Sequence, residues 1–493
     1  MAQSKKQTPQ KKKYLFTALI AIVVIGIFHI WLSLTNPYAS WNIVQQPYIT
    51  TVAENRIEAK KQFDLHVYSG VAAQAVGYYK SGFLIVQNAY TGSPKAPTSN
   101  PNEIIDYIHN LRFDPSKPYL ISGDQFSVLY PRNLGVFYNS LLDPKTIHNQ
   151  KDWENRQRIY LQSALYALDA FTNGDTLTTT IVPTGAKSVA LTEVHPGSVP
   201  SDTLYGILYA FNALQNDSPY KNSPYKLQTT KTVRDILASR RADLQKLLGI
   251  YLSQVQDPHT KLIRNDLHLA AARDGVTRES SFYDNVILWK TLSLANDLGI
   301  QSTPDSQLAA LHEVILARYW DESEGHFKDD IRNHDPKTNY SSDWLIALPT
   351  GFLSAANPAH LPYIEKSIHF IRDQHIADPF PIKYQAKLSA KDVPWVVKTF
   401  VPNYGGDAIW SYWGAQYITL LADTYEQTHN LSYLTDATQA VQKYRQKMAE
   451  TRGFPETFTA NGDFLQNGVY KSIRQTGWVV QFEAAEQKVN AYE

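Results

Sequence analysis

No cysteine occurs anywhere in the 493 residues. Disulfides, thiolate metal centres and a cysteine nucleophile are excluded with it. A chain that faces the exterior without cysteine fits a bacterial surface better than the eukaryotic secretory route. A charge excess of either sign is also missing. Lys and Arg total 47 against 46 Asp and Glu, for a net charge of +1. No cationic surplus is available to neutralise phosphates, so nucleic acid is not an expected partner. There is no glycine-rich phosphate loop in a strand–helix setting and no long Pro/Ser linker. His268, His312, His326 and His334 lack metal-ligand spacing, and neither a metal nor a cofactor is expected.

Long apolar runs are scarce as well, with one exception. YLFTALIAIVVIGIFHIWLSL, residues 14–34, is apolar except for Thr17, His29 and Ser33. Its length is close to the roughly 20 residues that span a bilayer. Lys5, Lys6, Lys11, Lys12 and Lys13 precede it, and no Lys or Arg follows closely. The positive-inside rule then keeps residues 1–13 in the cytoplasm and exports the rest, to the cell surface or periplasm of a bacterium. A cleaved signal peptide would have a shorter apolar core and a small-residue cleavage site, and Tyr38-Ala39-Ser40 is a poor one. The expected organisation is a tail over 1–13, an uncleaved anchor over 14–34 in the lipid bilayer, a linker over 35–50 and one body over 51–493.

The body is rich in what buries. Hydrophobic residues make up 43% of the chain and aromatics 12%, including 31 Tyr and 10 Trp. Apolar residues three and four apart predict helices over 51–79, 102–111, 125–142, 153–171, 201–214, 232–255, 281–299, 306–320, 362–374, 408–427, 432–450 and 474–489. TLTTTIVPTGAKSVALTEV, 176–194, reads as a β-excursion. A dozen helices with one short interruption predict an all-α fold, an (α/α)6 toroid, better than a solenoid.

Four stretches break the helical rhythm: residues 126–144 with Arg132, 264–285 with Arg278, Glu279 and Asp284, 393–413 with Trp395, Tyr404, Asp407 and Trp410, and 451–464 with Glu456. Each has a plain structural explanation. Ser281 and Asp284 resemble a capping box, Asp407 suits the first turn of a helix, and Glu456 suits a solvated loop. Together they lie at helix entrances or in the loops that feed them, and a toroid gathers such entrances into one funnel.

RESSFYD, Arg278 to Asp284, resembles the arginine–glutamate–serine…aspartate motif of six-hairpin glycosidases, in particular trehalase and mannosyl-oligosaccharide glucosidase relatives. RYWDESEGHFKDD (318–330), NYGGDAIWSYWGAQY (403–417) and GFPETF (453–458), followed by TGW (476–478), are similar to further motifs of the same families. The resemblance covers about residues 120–490. It implies Asp284 as general acid and Glu456, in a Pro-Glu loop, as general base. One residue more than in the motif precedes Asp284, which leaves Glu279 as the second candidate for the acid. Inverting hydrolysis needs two carboxyls about 6.5–9.5 Å apart with a water between them. Asp284 beside Phe282 and Tyr283 suits an acid of raised pKa. Arg132, Arg278, Glu279, Trp395, Tyr404, Asp407 and Trp410 are the expected sugar contacts.

Two other functions fit the same residues. A toroid whose acids no longer pair would bind carbohydrate without cleaving it. A polysaccharide lyase would use Tyr404 or His268 as base, although no dense Arg/His cluster is present to neutralise a uronate.

Overall fold

A computed structural model describes residues 14–492 apart from residues 15, 28–44, 92–93, 122, 124–127, 195–197, 270–275, 277, 333–338, 387–398, 400 and 402. Its organising feature is a closed ring. The short helix Arg132–Gly135 packs on Thr203–Gln215, which packs on Phe282–Asp297. That helix meets the 3-10 turn Ser342–Ala347, which meets Ser411–Thr428, which packs on Val479–Asn490. Val479–Asn490 returns to the 3-10 turn Pro144–Thr146, just after the first element, and closes the circle. Helices 203–215, 282–297 and 411–428 are buried along most of their length, as inner helices must be.

The outer partners come one before each inner element: Pro101–Arg112, Gln150–Gly174, the pair Thr230–Ser239 and Arg241–Val255, Asp305–Tyr319, Leu361–Asp373 and Leu431–Thr451. The outer ring also closes, because 431–451 packs on 101–112 and Arg445 Nη1 donates to Asn102 Oδ1 at 3.0 Å. Six outer–inner pairs therefore match the expected toroid, with two inner positions shortened to one or two turns. Close packing needs glycine where the first two inner elements cross. A Cβ on Gly206 would lie 1.9 Å from the Pro131 carbonyl oxygen.

Some expected elements differ. The body does not start as a helix over 51–79. Tyr48–Ala53 and Arg56–Lys61 form an antiparallel hairpin instead, and the helix runs over Gly70–Thr91. Glu54 and Asn55 both have positive φ, 48° and 61°, the backbone of a two-residue turn that matches strand twist. The body's expected start at residue 51 falls inside this hairpin, which packs on helix 150–174. The expected helix 232–255 breaks at Arg240, whose guanidinium pairs with Asp169 and Asp243. Of the expected helix 125–142, residues 125–127 lie outside the described ones, and among the rest only Arg132–Gly135 is helical, followed by turns. The β-excursion forms as expected: Thr180–Gly185 pairs antiparallel with Ser188–Thr192, which pairs in parallel with His66–Tyr68.

The apolar stretch expected to cross a bilayer is helical over 16–27. Among the described residues no helix is long and apolar enough to cross a membrane, and residues 28–34 of that stretch lie outside the described ones.

A charged clasp joins the first and last helices of the ring. His148 contacts Asp106 on helix 101–112 at 2.9 Å and Glu483 on helix 479–490 at 2.8 Å. The bond to Glu483 raises the His148 pKa above its ordinary 6.5, and burial opposes that rise. A histidine raised in the folded state stabilises below its unfolded pKa, and the effect fades as pH climbs through the folded pKa. His109, also at Glu483, is pushed down by burial, so its own pH effect runs the opposite way, and it is common to wild type and a His148 variant. The gap in Tm between wild type and His148→Gln is therefore largest near pH 6 and narrows as pH rises above 6.5. A gap that stays constant with pH removes the clasp's ionic character.

Candidate active site

Glu456 owes its place to a two-residue strand pair. Ile409–Trp410 runs antiparallel to Thr457–Phe458. The Glu456 N–H donates to Ile473 O at 2.8 Å, and its carbonyl accepts from Ser411 N–H at 3.0 Å. The backbone is thus fixed on both sides, at the N-terminus of inner helix 411–428. The carboxylate accepts from the Tyr404 hydroxyl at 3.2 Å. Tyr470 also reaches it, and burial first, then the Glu456 charge, raises the Tyr470 pKa well above normal. The Tyr470 phenol is therefore protonated at neutral pH, and the Tyr404 hydroxyl is the donor in its bond to Glu456. The Glu456 residue keeps 7% of its surface exposed.

Asp284 is held quite differently. Ser281 caps helix 282–297, accepting from the Asp284 N–H at 3.1 Å, as the capping-box pattern predicts. The carboxylate is sealed. Ser201 Oγ donates to Oδ1 and Ser281 Oγ to Oδ2, each at 2.5 Å, and the residue is 0% exposed. Burial raises its pKa, against the pull of Arg278 and both serines. Asp284 thus stitches the entrances of two inner helices together and has no surface for a leaving group to touch.

Arg278 is likewise buried. Its Nη1 bonds Asp329 at 2.9 Å and Asp343 at 2.6 Å. Two carboxylates hold this cation through Nη1, its Nη2 has no hydrogen-bond partner among the described residues, and at 3% exposure it offers a sugar little surface. Between it and Asp284, Ser280 takes φ +45°, a strained left-handed conformation for a side-chain-bearing residue. Asn285 stabilises that turn by bonding Ser280 Oγ, Ser281 O and Tyr319 Oη. Glu279 sits on this strained loop and is half-buried. Its N–H donates to Asp330 Oδ2 at 3.2 Å, and among the described residues no group bonds its carboxylate.

These loops meet through a continuous series of contacts. Asp343, paired to Arg278, accepts from Tyr384 Oη at 2.9 Å. Tyr384 lies 5.1 Å from the Trp410 ring, Trp410 lies 4.8 Å from Tyr404, and Tyr404 bonds Glu456. Arg132 stacks over Tyr130 at 5.2 Å, and its charge acts on the Tyr283 phenol, whose hydroxyl bonds Asp202 at 3.1 Å. The loops bearing Arg132, Arg278, Tyr404 and Glu456 therefore share one end of the ring, as expected.

Individual side chains diverge from expectation. Trp410 is 2% exposed and donates Nε1–H to Tyr404 O, so it buttresses Tyr404 more than it offers a face. Asp407 is half-buried, and its Oδ1 has no hydrogen-bond partner among the described residues. Trp395 lies outside the described residues. His268 falls in the short strand His268–Leu269, paired in parallel with Ser198–Val199. Sequence reasoning missed Asp343 and Tyr384, and it noted Tyr470 after the fourth irregular stretch without giving it a role. It also missed Glu193, whose pKa burial lifts to about 8 against hydrogen bonds from Thr179. No local pattern marks any of these four.

No family model and no curated protein matches the chain. Solved structures of carbohydrate-active enzymes do. A glucoamylase from Hormoconis resinae is 14% identical with a TM-score of 0.48, covering 79% of this chain and 72% of that one. A mannosylglycerate hydrolase of Thermus thermophilus, in complex with glucose, is 10% identical with a TM-score of 0.46, covering 78% and 99%. A cellobiose 2-epimerase from Bacillus thermoamylovorans is 9% identical with a TM-score of 0.47, covering 78% and 99%. All three likenesses stand at 14% identity or less.

Proposed function

We propose that this protein hydrolyses an O-glycosidic bond in an oligo- or polysaccharide, with inversion, at the end of the ring that carries Glu456. The observation that carries the reading is Glu456 itself, a carboxylate fixed by backbone bonds on both sides and steered by the hydroxyls of Tyr404 and Tyr470. Such a group can hold a water and remove its proton as that water attacks the anomeric carbon. Glu279 is the acid that protonates the leaving oxygen, because a donor must reach the bond and Asp284 has no exposed surface. Asp284 sets the angle of helix 282–297, and with it the Arg278–Ser281 loop. Tyr404, Asp407 and Arg132 contact the sugar. Product release from a panel of α- and β-linked oligosaccharides tests the activity. Tight glycan binding without any product would favour the inactive-toroid alternative.

We also propose that residues 14–34 anchor the chain with its body outside the cytoplasm. The support is the length of that apolar stretch and the five lysines before it. Release of the intact chain from membranes by alkaline carbonate would sink this.

A further inference from the structure

We infer that the opposite end of the ring carries a second, non-catalytic binding groove for a neutral oligosaccharide. The helix Thr203–Gln215 starts beside Ser201 and Asp202 at the active-site end. Its 13 residues rise about 1.5 Å each, so its far end is roughly 20 Å away. There a cleft of about 740 Å³ opens, lined by Asn139, Tyr209, Asn212, Asn216, Asn222 and Tyr225 among others. A second depression of about 480 Å³ shares Asn212 and Asn216 with it and adds Gln215, Arg234 and Asp297. The two form one elongated groove, a shape that suits a chain of sugars better than a single small molecule.

The lining chemistry selects the ligand. Tyr209 and Tyr225 are half-buried, with area left to stack on the C–H face of a pyranose. The Tyr209 hydroxyl donates to Asn139 O at 3.1 Å, and that of Tyr220, also in the cleft, donates to Leu142 O at 2.9 Å. With its proton engaged, the Tyr209 oxygen is left as an acceptor for a sugar hydroxyl, while the buried Tyr220 shapes the floor of the cleft. Among the described residues, no group bonds the side-chain amides of Asn212 and Asn222, so each offers two donors and an acceptor. Charge is balanced, with Asp143 and Asp297 against Lys145 and Arg234. An anionic glycan or nucleic acid would meet no net attraction there.

The groove is preformed. Tyr220 is buried against Trp153 at 5.2 Å, Asn216 Oδ1 caps Ser218 N–H, and Asp217 accepts from Thr230. Its existence does not depend on the catalytic assignment, only on carbohydrate being the ligand class. The test uses the full chain carrying Glu456→Gln, in which turnover is expected to be slow enough for binding to be followed. Saturation-transfer NMR and calorimetry follow the binding of neutral gluco-, manno-, xylo- and chito-oligosaccharides of about four to six units, the span of such a groove. At least one is expected to bind in two classes of site. Adding Tyr225→Ala, or separately Asn212→Ala with Asn222→Ala, weakens one class by about tenfold and leaves the other unchanged. The Asn pair lacks structural bonds and so separates binding loss from misfolding. A single class of site that ignores these substitutions overturns the groove, as does a groove that takes up only a tyrosine- and proline-rich peptide. Wild-type turnover in Glu456→Gln with both binding classes intact would instead fault the catalytic reading and leave the groove standing.

Discussion

Glu456→Gln lowers turnover of the best oligosaccharide substrate by about 10²- to 10⁴-fold, the usual contribution of a positioned general base. The amide fills the same volume and still accepts from Tyr404, so the bond at 3.2 Å survives in kind. Folding is therefore spared, and the loss is chemical: an amide cannot take the proton of the attacking water. Glu279→Gln is expected to fall by a similar factor, most steeply on substrates with poor leaving groups, because it removes the proton donor. Asp284→Asn is expected to cost much less. The amide can still accept from Ser201 at Oδ1 and donate to Ser281, so the capped turn stays closed. Steady-state kinetics of the three variants, with Tm measured alongside, separate these roles. Wild-type turnover in Glu456→Gln ends the hydrolase assignment. A collapse in Asp284→Asn equal to that in Glu279→Gln, at unchanged Tm, returns the acid's role to Asp284.

The contrast between these acids shows how far sequence could reach. Helix periodicity placed most of the ring, because inner and outer helices each bury a face and carry that pattern locally. The four irregular loops were legible for the same reason: helix entrances are marked by caps, prolines and acids, and a toroid gathers them at one end. Whether a carboxylate faces water was not legible. Asp284 is sealed by Ser201, 83 residues away, and no pattern around residue 284 encodes that bond. Tyr384 and Asp343 were invisible likewise, since what matters is their contact with each other and with Arg278 across the ring. The opening hairpin was missed for a different reason. ITTVAENRIEA carries apolar residues that fit a helix as well as a strand, and the turn depends on Glu54 and Asn55 both adopting positive φ, without a glycine to announce it.

Arg278→Met is expected to destabilise the fold by roughly 3–5 kcal/mol, the cost of leaving buried charge unpaired. Arg278 is 3% exposed, and its partners Asp329 and Asp343 are 6% and 2% exposed. With the guanidinium gone, two carboxylates remain close together in a medium that cannot solvate them. Tyr384 can still donate to Asp343, but one neutral donor does not replace an ion pair. Arg278→Lys is expected to recover only part of the loss, because an ammonium on a flexible stem reproduces poorly the reach of a planar guanidinium. Arg278→Met combined with Asp343→Asn should recover more, since it removes one of the stranded charges. Asp284 responds as well: the Arg278 charge lowers its pKa, so losing that charge lets burial push the carboxyl further toward the neutral form. Denaturant unfolding of the two single variants and the double variant, analysed as a cycle, measures the coupling. An Arg278→Met protein as stable as wild type would mean that the buried cation is dispensable. A double variant no more stable than Arg278→Met would mean that the cost lies in lost packing rather than in unpaired carboxylates. If the ion-pair account holds, Arg278 is the post on which the Glu279 loop stands. Its removal should then reduce turnover beyond what the fall in folded fraction explains, because the contacts from Arg278 through Asp343, Tyr384, Trp410 and Tyr404 end at Glu456.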